Sequence, residues 1–496
     1  MDPPEDGSEG SVRLVYLGAL QKDYFRRLVL ARECYKEAIS REGNPEMASP
    51  KFPKRATESY QTQKQQIQRE LQQQYDKPVG AFRSVWTELF QGSAHLDSAL
   101  SRQPRELKSE LARTLQALLR RPVSESHALG LAIEKGLPWS LGLAQLANWE
   151  GAVHFYRAAR EKLENEGALP GSTATGDDYP PWLLSAWEED WGSDTSKTLQ
   201  RALGEDPPLA MRASRKLGAE DLLNRLRPGL PGEIRAVPSV VAPFGAVLSG
   251  YAPVFGSEAF QEGLFEIQDE GSQFMSLFAI WPEIFGKFLQ PSPGPSSFSW
   301  RDSEFDQVLK NPASPLTVVD ACAGAGGKTL ALADALEGRG RVYAYDTSAG
   351  KIQALRKRAS RAGLRNIQGA QVEENKEEEL VSRFRRRADV VLVDAPCSGW
   401  GVLRRNPDIK WRGKDSGLDR MPGLQKRILT AYSDLVAPGG SLVFGVCTFR
   451  KSETRGVVDW FSERNPDFSP VEGGYIGPGG TDGFFMQRFR REGGRK

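Results

Sequence analysis

The 496-residue sequence has few of the residues that build metal sites and disulfide frameworks. It contains three histidines and four cysteines, and the cysteines stand far apart at positions 34, 322, 397 and 447. This spacing excludes a dense disulfide framework and offers no Cys-x-x-Cys pair for zinc. We therefore expect reduced cysteines, no metal site and a cytoplasmic location.

Long apolar runs and an excess of charge of one sign are also missing. No run of about 18 apolar residues occurs, as a membrane span would require. The first six residues, Met1 to Asp6, are acidic and lack the apolar core of a secretion signal. Lys and Arg number 66 against 64 Asp and Glu, so the formal charge is +2. A chain that is basic throughout is excluded, and any nucleic-acid surface must come from local clusters.

Length and pattern predict three domains. Apolar residues recur at helical spacing through most of the first 170 residues, which predicts a helical N-terminal domain over 1–178. The polar stretch 171–178, with two glycines, marks its end. Short helices mixed with short strand-like runs then predict a small α+β module over 179–262.

Residues 263–496 are predicted to form an α/β domain. β-rich runs alternate there with helical patterns such as 348–361 and 424–435, which is typical of a doubly wound, mostly parallel sheet. The runs are Leu316–Asp320, Arg341–Asp346, Val390–Asp394 and Ser441–Cys447. Sheets of this kind bind ligands at the carboxyl ends of their strands, and the motifs described below all fall there.

A glycine-rich turn follows the first of these runs. It extends from Asp320 to Thr329 as D-A-C-A-G-A-G-G-K-T, and its glycines allow the backbone to approach a ligand closely. Its end resembles a triphosphate-binding loop, but Cys322 stands where that motif requires glycine, which argues against triphosphate binding. Asp346 ends the next strand, where an acid can bind a ribose. The turn thus suits a ribose-bearing cofactor, nicotinamide cofactors included.

Two cysteines follow two other predicted strands. Cys397 lies in Asp394-Ala-Pro-Cys-Ser-Gly399, and Cys447 is followed by Thr448. Sheet topology can bring these cysteines, 50 residues apart in sequence, into one pocket. A single cysteine is usually a packing residue, and this interpretation suits Cys34 and also Cys322 within its turn.

Together these motifs resemble those of the RsmB/NOP family of RNA cytosine-5 methyltransferases. The resemblance covers about residues 179–490. Its ordered matches are Gln268–Ser272, Asp320–Thr329, Asp394–Gly399, Arg405–Trp411, Gly445–Thr448 and Asp482–Phe485. It implies a Rossmann-like class I methyltransferase domain, S-adenosylmethionine as cofactor and RNA as substrate. Residues 179–182 and 207–212 resemble the small RNA-binding module that precedes such domains.

The resemblance also implies roles for single residues. Cytosine C5 attacks a methyl sulfonium poorly until a thiolate adds to C6, and Cys447 would supply that thiolate, with Lys328 nearby to favour it. Cys397 would assist product release, and Asp394 would hydrogen-bond the ring at N3. The cofactor would contact Cys322, Ala323, Gly324, Ala325, Gly326, Gly327, Lys328, Asp346, Glu373 and Asp394.

Three positions depart from the family pattern. Val446 replaces the usual threonine before the nucleophile, Glu373 is the nearest acid to a missing Asp after the third strand, and Ser214 stands where Asn is common. Ribosomal RNA is the expected substrate of a monomeric enzyme. A tRNA methyltransferase of the same chemistry, or an RNA-binding ribosome assembly factor with little or no activity, are the alternatives.

Three local clusters of basic residues could contact RNA. They are Arg356, Lys357, Arg358, Arg361 and Arg365; then Arg385, Arg386 and Arg387; then Arg404, Arg405, Lys410, Arg412 and Lys414 with Trp400 and Trp411. Any one cluster is more often a solvated surface. The third lies beside the expected pocket and mixes basic with aromatic residues, which suits a splayed RNA base.

Overall fold

The computed structural model describes most of the chain after residue 178. The described residues are 84, 85, 88, 96–103, 112, 116, 179–230, 232, 234–249, 252–295, 299–300, 315–373, 384–411 and 417–493. The chain divides into two compact units, residues 1–183 with 406–412 and residues 184–405 with 413–496. Within the described ranges, no helix has the length and apolar character needed to cross a membrane.

The described part of the first unit includes a short helix, α1, over Leu96–Ser101. Leu96, Ala99 and Leu100 are its buried residues. Most of the predicted helical domain over 1–178, including Cys34, lies outside the described residues. That domain therefore stays a prediction.

The small module contains a four-stranded antiparallel sheet in the order β2-β3-β1-β4. Its strands are β1 (Leu209–Ala213), β2 (Ala236–Pro238), β3 (Gly245–Leu248) and β4 (Phe265–Ile267). The helices of this part are α2 (Pro181–Trp191), α3 (Ser193–Gly204), α4 (Ala219–Leu226) and α5 (Glu258–Gln261). The buried residues of α4 recur at i, i+3, i+4 and i+7, which gives the helix one apolar face for the sheet. The expected module boundary at residue 262 stays a prediction, and β4 lies beyond it.

A seven-stranded sheet forms the centre of the second unit, in the order β10-β11-β9-β8-β5-β6-β7. Its strands are β5 (Leu316–Asp320), β6 (Gly340–Asp346), β7 (Ile367–Gln371), β8 (Ala388–Asp394), β9 (Val436–Val446), β10 (Phe468–Ile476) and β11 (Phe484–Arg491). The five strands from β9 to β7 are parallel, β11 pairs antiparallel with β9, and β10 pairs antiparallel with β11, so that only β11 runs in the opposite direction. The predicted α/β fold with a mostly parallel sheet is thus confirmed.

Strand β9 is longer than the predicted strand. Residues 437–440, which precede the predicted strand, form an irregularity within β9, since Ala388 pairs with Val436 but Val390 already pairs with Ser441. Gly439 has a φ of +79° at this point. The Pro-Gly-Gly stretch therefore forms a bulge inside a strand, which a local turn pattern cannot distinguish from a loop.

Helices cover this sheet and supply much of its core. They are α6 (Glu270–Ile280), α7 (Pro282–Phe285), α8 (Gly327–Ala335), α9 (Ala349–Arg361), α10 (Met421–Ser433) and α11 (Arg455–Arg464). Helix α6 is buried along most of its length, including its polar residues Glu270 and Gln273. Its Phe274 and Phe278 share one core cluster with Val318 of β5 and Leu332 of α8.

Charged pairs join the small module to the methyltransferase-like domain. The Arg212 Nη1 atom lies 2.7 Å from Asp334 Oδ2, at the end of α8. On the other side, Glu266 of β4 pairs with Arg358 at 3.0 Å and with Arg361, both on α9. These largely buried ion pairs therefore hold the module against helices α8 and α9.

Candidate active site

The glycine-rich turn lies between β5 and α8, at the carboxyl edge of the sheet. Gly324 and Gly326 have φ values of +56° and +94°, which L side chains rarely adopt. A Cβ atom at Gly326 would lie 2.7 Å from Leu355 Cγ, so close packing also requires glycine there. At Gly324 and Gly327 an added Cβ would meet no atom within 4 Å. One side of the turn therefore borders open space, as a cofactor-binding loop should.

Asp346, at the end of β6, holds this turn in place. Its Oδ2 accepts a hydrogen bond from the Gly324 N–H and its Oδ1 accepts one from the Ser348 N–H, each at 2.9 Å. The structure thus brings Asp346 and the predicted cofactor residues 322–328 together. Glu373 lies two residues after Gln371, the β7 partner of Asp346, and its role as a cofactor contact stays a prediction.

Lys328 and Asp394 form an ion pair across neighbouring strand ends. The Lys328 Nζ atom lies 2.6 Å from Asp394 Oδ2. Burial alone would lower the pKa of the Lys328 ammonium, but the charge of Asp394 and the hydrogen bond between them raise it. Lys328 is therefore a fixed positive charge at the edge where β5 and β8 end.

Asp320 lies beneath this pair and is fully buried. Its Oδ2 accepts a hydrogen bond from Thr329 Oγ1 at 2.7 Å. Burial raises the pKa of the Asp320 carboxyl to about 7, with a further contribution from the charge of Asp394. Its main function in this arrangement is to anchor the first turn of α8.

The two strand-end cysteines meet, as the sheet topology predicted. Strands β8 and β9 are parallel neighbours, with Asp394 opposite Gly445, and Cys397 Sγ lies 3.2 Å from Cys447 Sγ. The contact with Cys447, together with burial, raises the pKa of the Cys397 thiol well above its usual value. The charge of Cys447, when ionised, in turn helps to raise the pKa of Lys328.

Cys322 does not belong to this pair. Burial raises the pKa of its thiol, as do the charges of Asp394, Asp320 and Asp346 around it. Three carboxylates disfavour a thiolate at this position. Cys322 is therefore suited to packing or to contact with a neutral ligand group rather than to nucleophilic attack.

Two polar residues behind the cysteines were not found from the sequence. Glu453 and Gln425 are fully buried, and Glu453 Oε2 accepts hydrogen bonds from the Ser398 N–H at 2.8 Å and from Gln425 Nε2 at 2.9 Å. Burial raises the pKa of the Glu453 carboxyl. No spacing or motif connects these two residues in the sequence, so only the fold reveals their contact.

The third basic cluster differs from its predicted role. Arg404 and Arg405 point inward, and their Nε atoms each lie 2.7 Å from a carboxylate oxygen of Asp482. Arg405 Nη2 also lies 2.7 Å from Asp269. These arginines therefore join three of the matched motifs internally and do not face a ligand, because two buried carboxylates require two positive partners.

Trp400, one of the two tryptophans of that cluster, also lies in the interior. Trp400 is buried and packs edge-on or tilted against Trp187 and Phe449, with ring centroids 6.5 and 6.0 Å apart. Arg412, Lys414 and the side chain of Trp411 lie outside the described residues. The expectation that Arg404, Arg405 and Trp400 contact a splayed base was wrong.

The other two basic clusters contain both internally paired and exposed residues. Arg358 and Arg361 pair with Glu266, and the Arg361 guanidinium lies 3.8 Å from the centre of the Phe260 ring. In contrast, the neighbouring basic residues are exposed. They are Arg356, Lys357, Arg365, Arg385, Arg386 and Arg387. In the described part of the chain, no group of three potential metal-binding side chains occurs.

The sheet order, the glycine-rich turn after β5 and the acid at the end of β6 define a Rossmann-like methyltransferase. The comparison with known proteins gives the family. The model of the 16S rRNA methyltransferase RsmB/F family matches residues 307–483. The chain belongs to this family of RNA methyltransferases, and S-adenosylmethionine is its cofactor.

Two curated relatives and one solved structure illustrate the similarity. The probable ribosomal RNA small subunit methyltransferase B of Bacillus subtilis is 27% identical over 380 residues, which cover 71% of this chain and 76% of the relative. The ribosomal RNA small subunit methyltransferase B of Thermus thermophilus is 30% identical over 307 residues, or 54% and 72%. The crystal structure of PH0851 shares the fold with a TM-score of 0.59 at 19% identity, covering 84% of this chain and 99% of that one.

Proposed function

We propose that this protein methylates C5 of a cytosine in ribosomal RNA through a covalent bond between Cys447 Sγ and cytosine C6. The observation that carries the proposal is the pair of cysteines 3.2 Å apart at the ends of β8 and β9, beside Lys328 and Asp394. Ribosomal RNA is proposed as the substrate because the similar proteins of Bacillus subtilis and Thermus thermophilus carry that substrate in their names.

The cofactor fits the turn after β5. The open side of Gly324 and Gly327 can take its methionine end against the backbone, and Asp346 retains lone pairs for ribose hydroxyls. Bound there, S-adenosylmethionine supplies a methyl group that is electrophilic because it is attached to a sulfonium. Lys328 of this turn pairs with Asp394, which stands at the end of the strand that leads to Cys397.

The chain's own residues carry the remaining chemistry. The Cys447 thiolate adds to C6, and the displaced electron pair makes C5 nucleophilic. The bond from C5 to the methyl carbon would then form as the methyl–sulfur bond breaks, with its electron pair left on the cofactor sulfur. Asp394, with Lys328 balancing its charge, accepts a hydrogen bond from the ring N3–H once N3 has taken up a proton in the adduct. A base then removes the C5 proton, the C6–Sγ bond breaks, and its electron pair returns to Cys447. Cys397, as a neighbouring thiol, assists this release.

The test separates the two cysteines by the order of events. Each variant is incubated with S-adenosylmethionine and total RNA, and a ribonuclease-sensitive band is sought after denaturing electrophoresis. Cys447→Ala should give neither methylation nor adduct, whereas Cys397→Ala should accumulate the adduct. Cys34→Ala is the control, because it removes a thiol that lies outside all the matched motifs and should behave like the unmutated protein. The reverse pattern would exchange the two roles.

Sequencing of bisulfite-treated RNA with and without the gene identifies the target. If deletion of the gene removes one bisulfite-resistant cytosine from small-subunit ribosomal RNA, the proposed substrate is supported. If the cytosine is lost from a tRNA instead, that tRNA becomes the proposed substrate. If the unmutated protein methylates no RNA, the non-catalytic assembly factor becomes the better proposal. A monomer acting in the cytoplasm is part of this proposal, and sedimentation of the purified chain measures its oligomeric state.

A further inference from the structure

A buried polar cluster supports the loop that carries Cys397. It consists of Gln425 of α10, Glu453 in the one-turn helix Lys451–Glu453, and the side chains of Ser398 and Thr448. The four residues are buried to at least nine-tenths. None of them has a part in the chemistry described above, so their contacts with the Cys397 loop need a separate explanation.

The cluster holds the peptide groups on both sides of Cys397. Gln425 Nε2 donates to the Pro396 carbonyl at 2.9 Å and also to Glu453 Oε2 at 2.9 Å. Glu453 Oε2 accepts from the Ser398 N–H at 2.8 Å. The residues before and after Cys397 are therefore held by one connected pair of side chains.

The same cluster reaches the Cys447 loop. Ser398 Oγ and Thr448 Oγ1 share a hydrogen bond at 2.8 Å, and Thr448 directly follows Cys447. Each loop is thus tied to the other one residue beyond its cysteine. The separation of the two sulfurs depends on this link as well as on the pairing of β8 with β9.

We propose that Glu453 and Gln425 are positioning residues that hold Cys397 against Cys447 for the release step. The inference rests on the proposed function. It assigns Glu453 and Gln425 to Cys397, because their hydrogen bonds go to Pro396 and Ser398. Among the contacts of the described residues, neither side chain bonds to the Cys447 backbone.

Burying these polar side chains costs free energy of desolvation, which is consistent with a positioning role. Glu453 Oε1 and Gln425 Oε1 are buried without a hydrogen-bond partner among the described residues, and Arg450 Nη1 lies 3.8 Å from Glu453 Oε1. A buried carboxylate with one unsatisfied oxygen is a poor way to fill a core, since an apolar side chain would avoid the desolvation. The polar pair hydrogen-bonds to Pro396 and Ser398, which an apolar pair would not do.

The main experiment measures the lifetime of the RNA adduct. Glu453→Ala and Gln425→Leu should each lengthen it about 10- to 100-fold, the range expected when a reacting group is displaced by about 1 Å. The rate of methyl transfer in a single turnover should stay the same. Glu453→Gln keeps an acceptor for the Ser398 N–H, so it should restore most of the normal lifetime. A near-normal adduct lifetime in Glu453→Gln, together with a long lifetime in Glu453→Ala, is a result that loss of stability alone does not give.

Glu266→Gln is the matched control. It also removes a buried carboxylate with two donors, but at the junction of the small module, so it should lower stability without changing the adduct lifetime. If Glu453→Ala shortens or preserves the lifetime, or if Glu266→Gln lengthens it equally, the inference is wrong.

A second measurement needs no RNA. Iodoacetamide labelling, followed by mass spectrometry of the cysteine peptides, reports how accessible each sulfur is in the folded protein. Glu453→Gln should leave the labelling rate of Cys397 near normal, and Gln425→Leu should raise it about tenfold relative to Cys447 as its loop loosens. Unchanged Cys397 labelling in Gln425→Leu overturns the inference. If the variants show the expected labelling rates but the unmutated protein forms no RNA adduct, the proposed chemistry is refuted and the positioning of Cys397 is not.

Discussion

Replacing Glu266 with glutamine removes one charge from the junction between the small module and the methyltransferase domain. The carboxylate is only 5% exposed and faces two guanidinium groups that are 26% and 23% exposed. Arg358 donates to it through Nε at 3.1 Å and Nη2 at 3.0 Å. The change leaves two largely buried positive charges with a single neutral acceptor.

The magnitude follows from the burial of the three groups. Breaking a fully buried pair by removing one partner costs about 3–5 kcal/mol, whereas an exposed pair contributes about 0–1 kcal/mol. The two arginines retain some contact with water, so we expect Glu266→Gln to lower the free energy of unfolding by about 2–3 kcal/mol, between these two limits. The loss should change little with added salt, because buried charges are weakly screened.

Urea unfolding followed by tryptophan fluorescence measures this loss, provided that the slope with urea is unchanged. Glu283→Gln is the control, because Glu283 pairs with Arg488 at 2.8 Å but its side chain is 68% exposed. It should cost no more than about 1 kcal/mol, and that cost should vanish in high salt. Equal losses for the two variants would refute the argument from burial.

Three further predictions follow from single contacts. Asp346→Ala should weaken cofactor binding by about 1.5–3 kcal/mol, measured by calorimetry, and unchanged affinity would remove Asp346 from the site. Burial raises the pKa of Glu270 to about 7 from 4.5, so the folded chain keeps a proton that the unfolded chain loses and stability falls as pH rises through this window. Glu270→Gln should therefore gain about 3 kcal/mol relative to the unmutated protein between pH 4.5 and 8, by thermal unfolding. Gly401→Ala places a Cβ 1.9 Å from the Gly483 oxygen and should cost about 3 kcal/mol, whereas Gly423→Ala, with open space around it, should be neutral or stabilising.

The sequence predicted most of the sheet and the meeting of the two cysteines. Alternating strands and helices require parallel pairing, and parallel strands end at one edge, so Cys397 and Cys447 had to be neighbours once β8 and β9 were adjacent. The same reasoning placed Asp346 beside the glycine-rich turn. These features depend on the order of elements, which the pattern of apolar residues reveals.

Other features depend on contacts between distant residues, and the sequence did not reveal them. Arg404 and Arg405 look like part of an exposed basic cluster until Asp482, 77 residues after Arg405, is found between them. Glu453 and Gln425 are 28 residues apart and share no motif. Charge alone indicates solvent exposure, and only a buried partner of opposite charge reverses that expectation.

The paired charges at the module junction have a genetic consequence. A crossover just after β4 would separate Arg212 from Asp334 and Glu266 from Arg358 and Arg361. A chimaera with a relative that carries different charges at these positions would bury unpaired ions and fold poorly. Recombination should therefore exchange the module and the catalytic domain as one block, and successful shuffling between relatives should keep all five of these residues from the same parent.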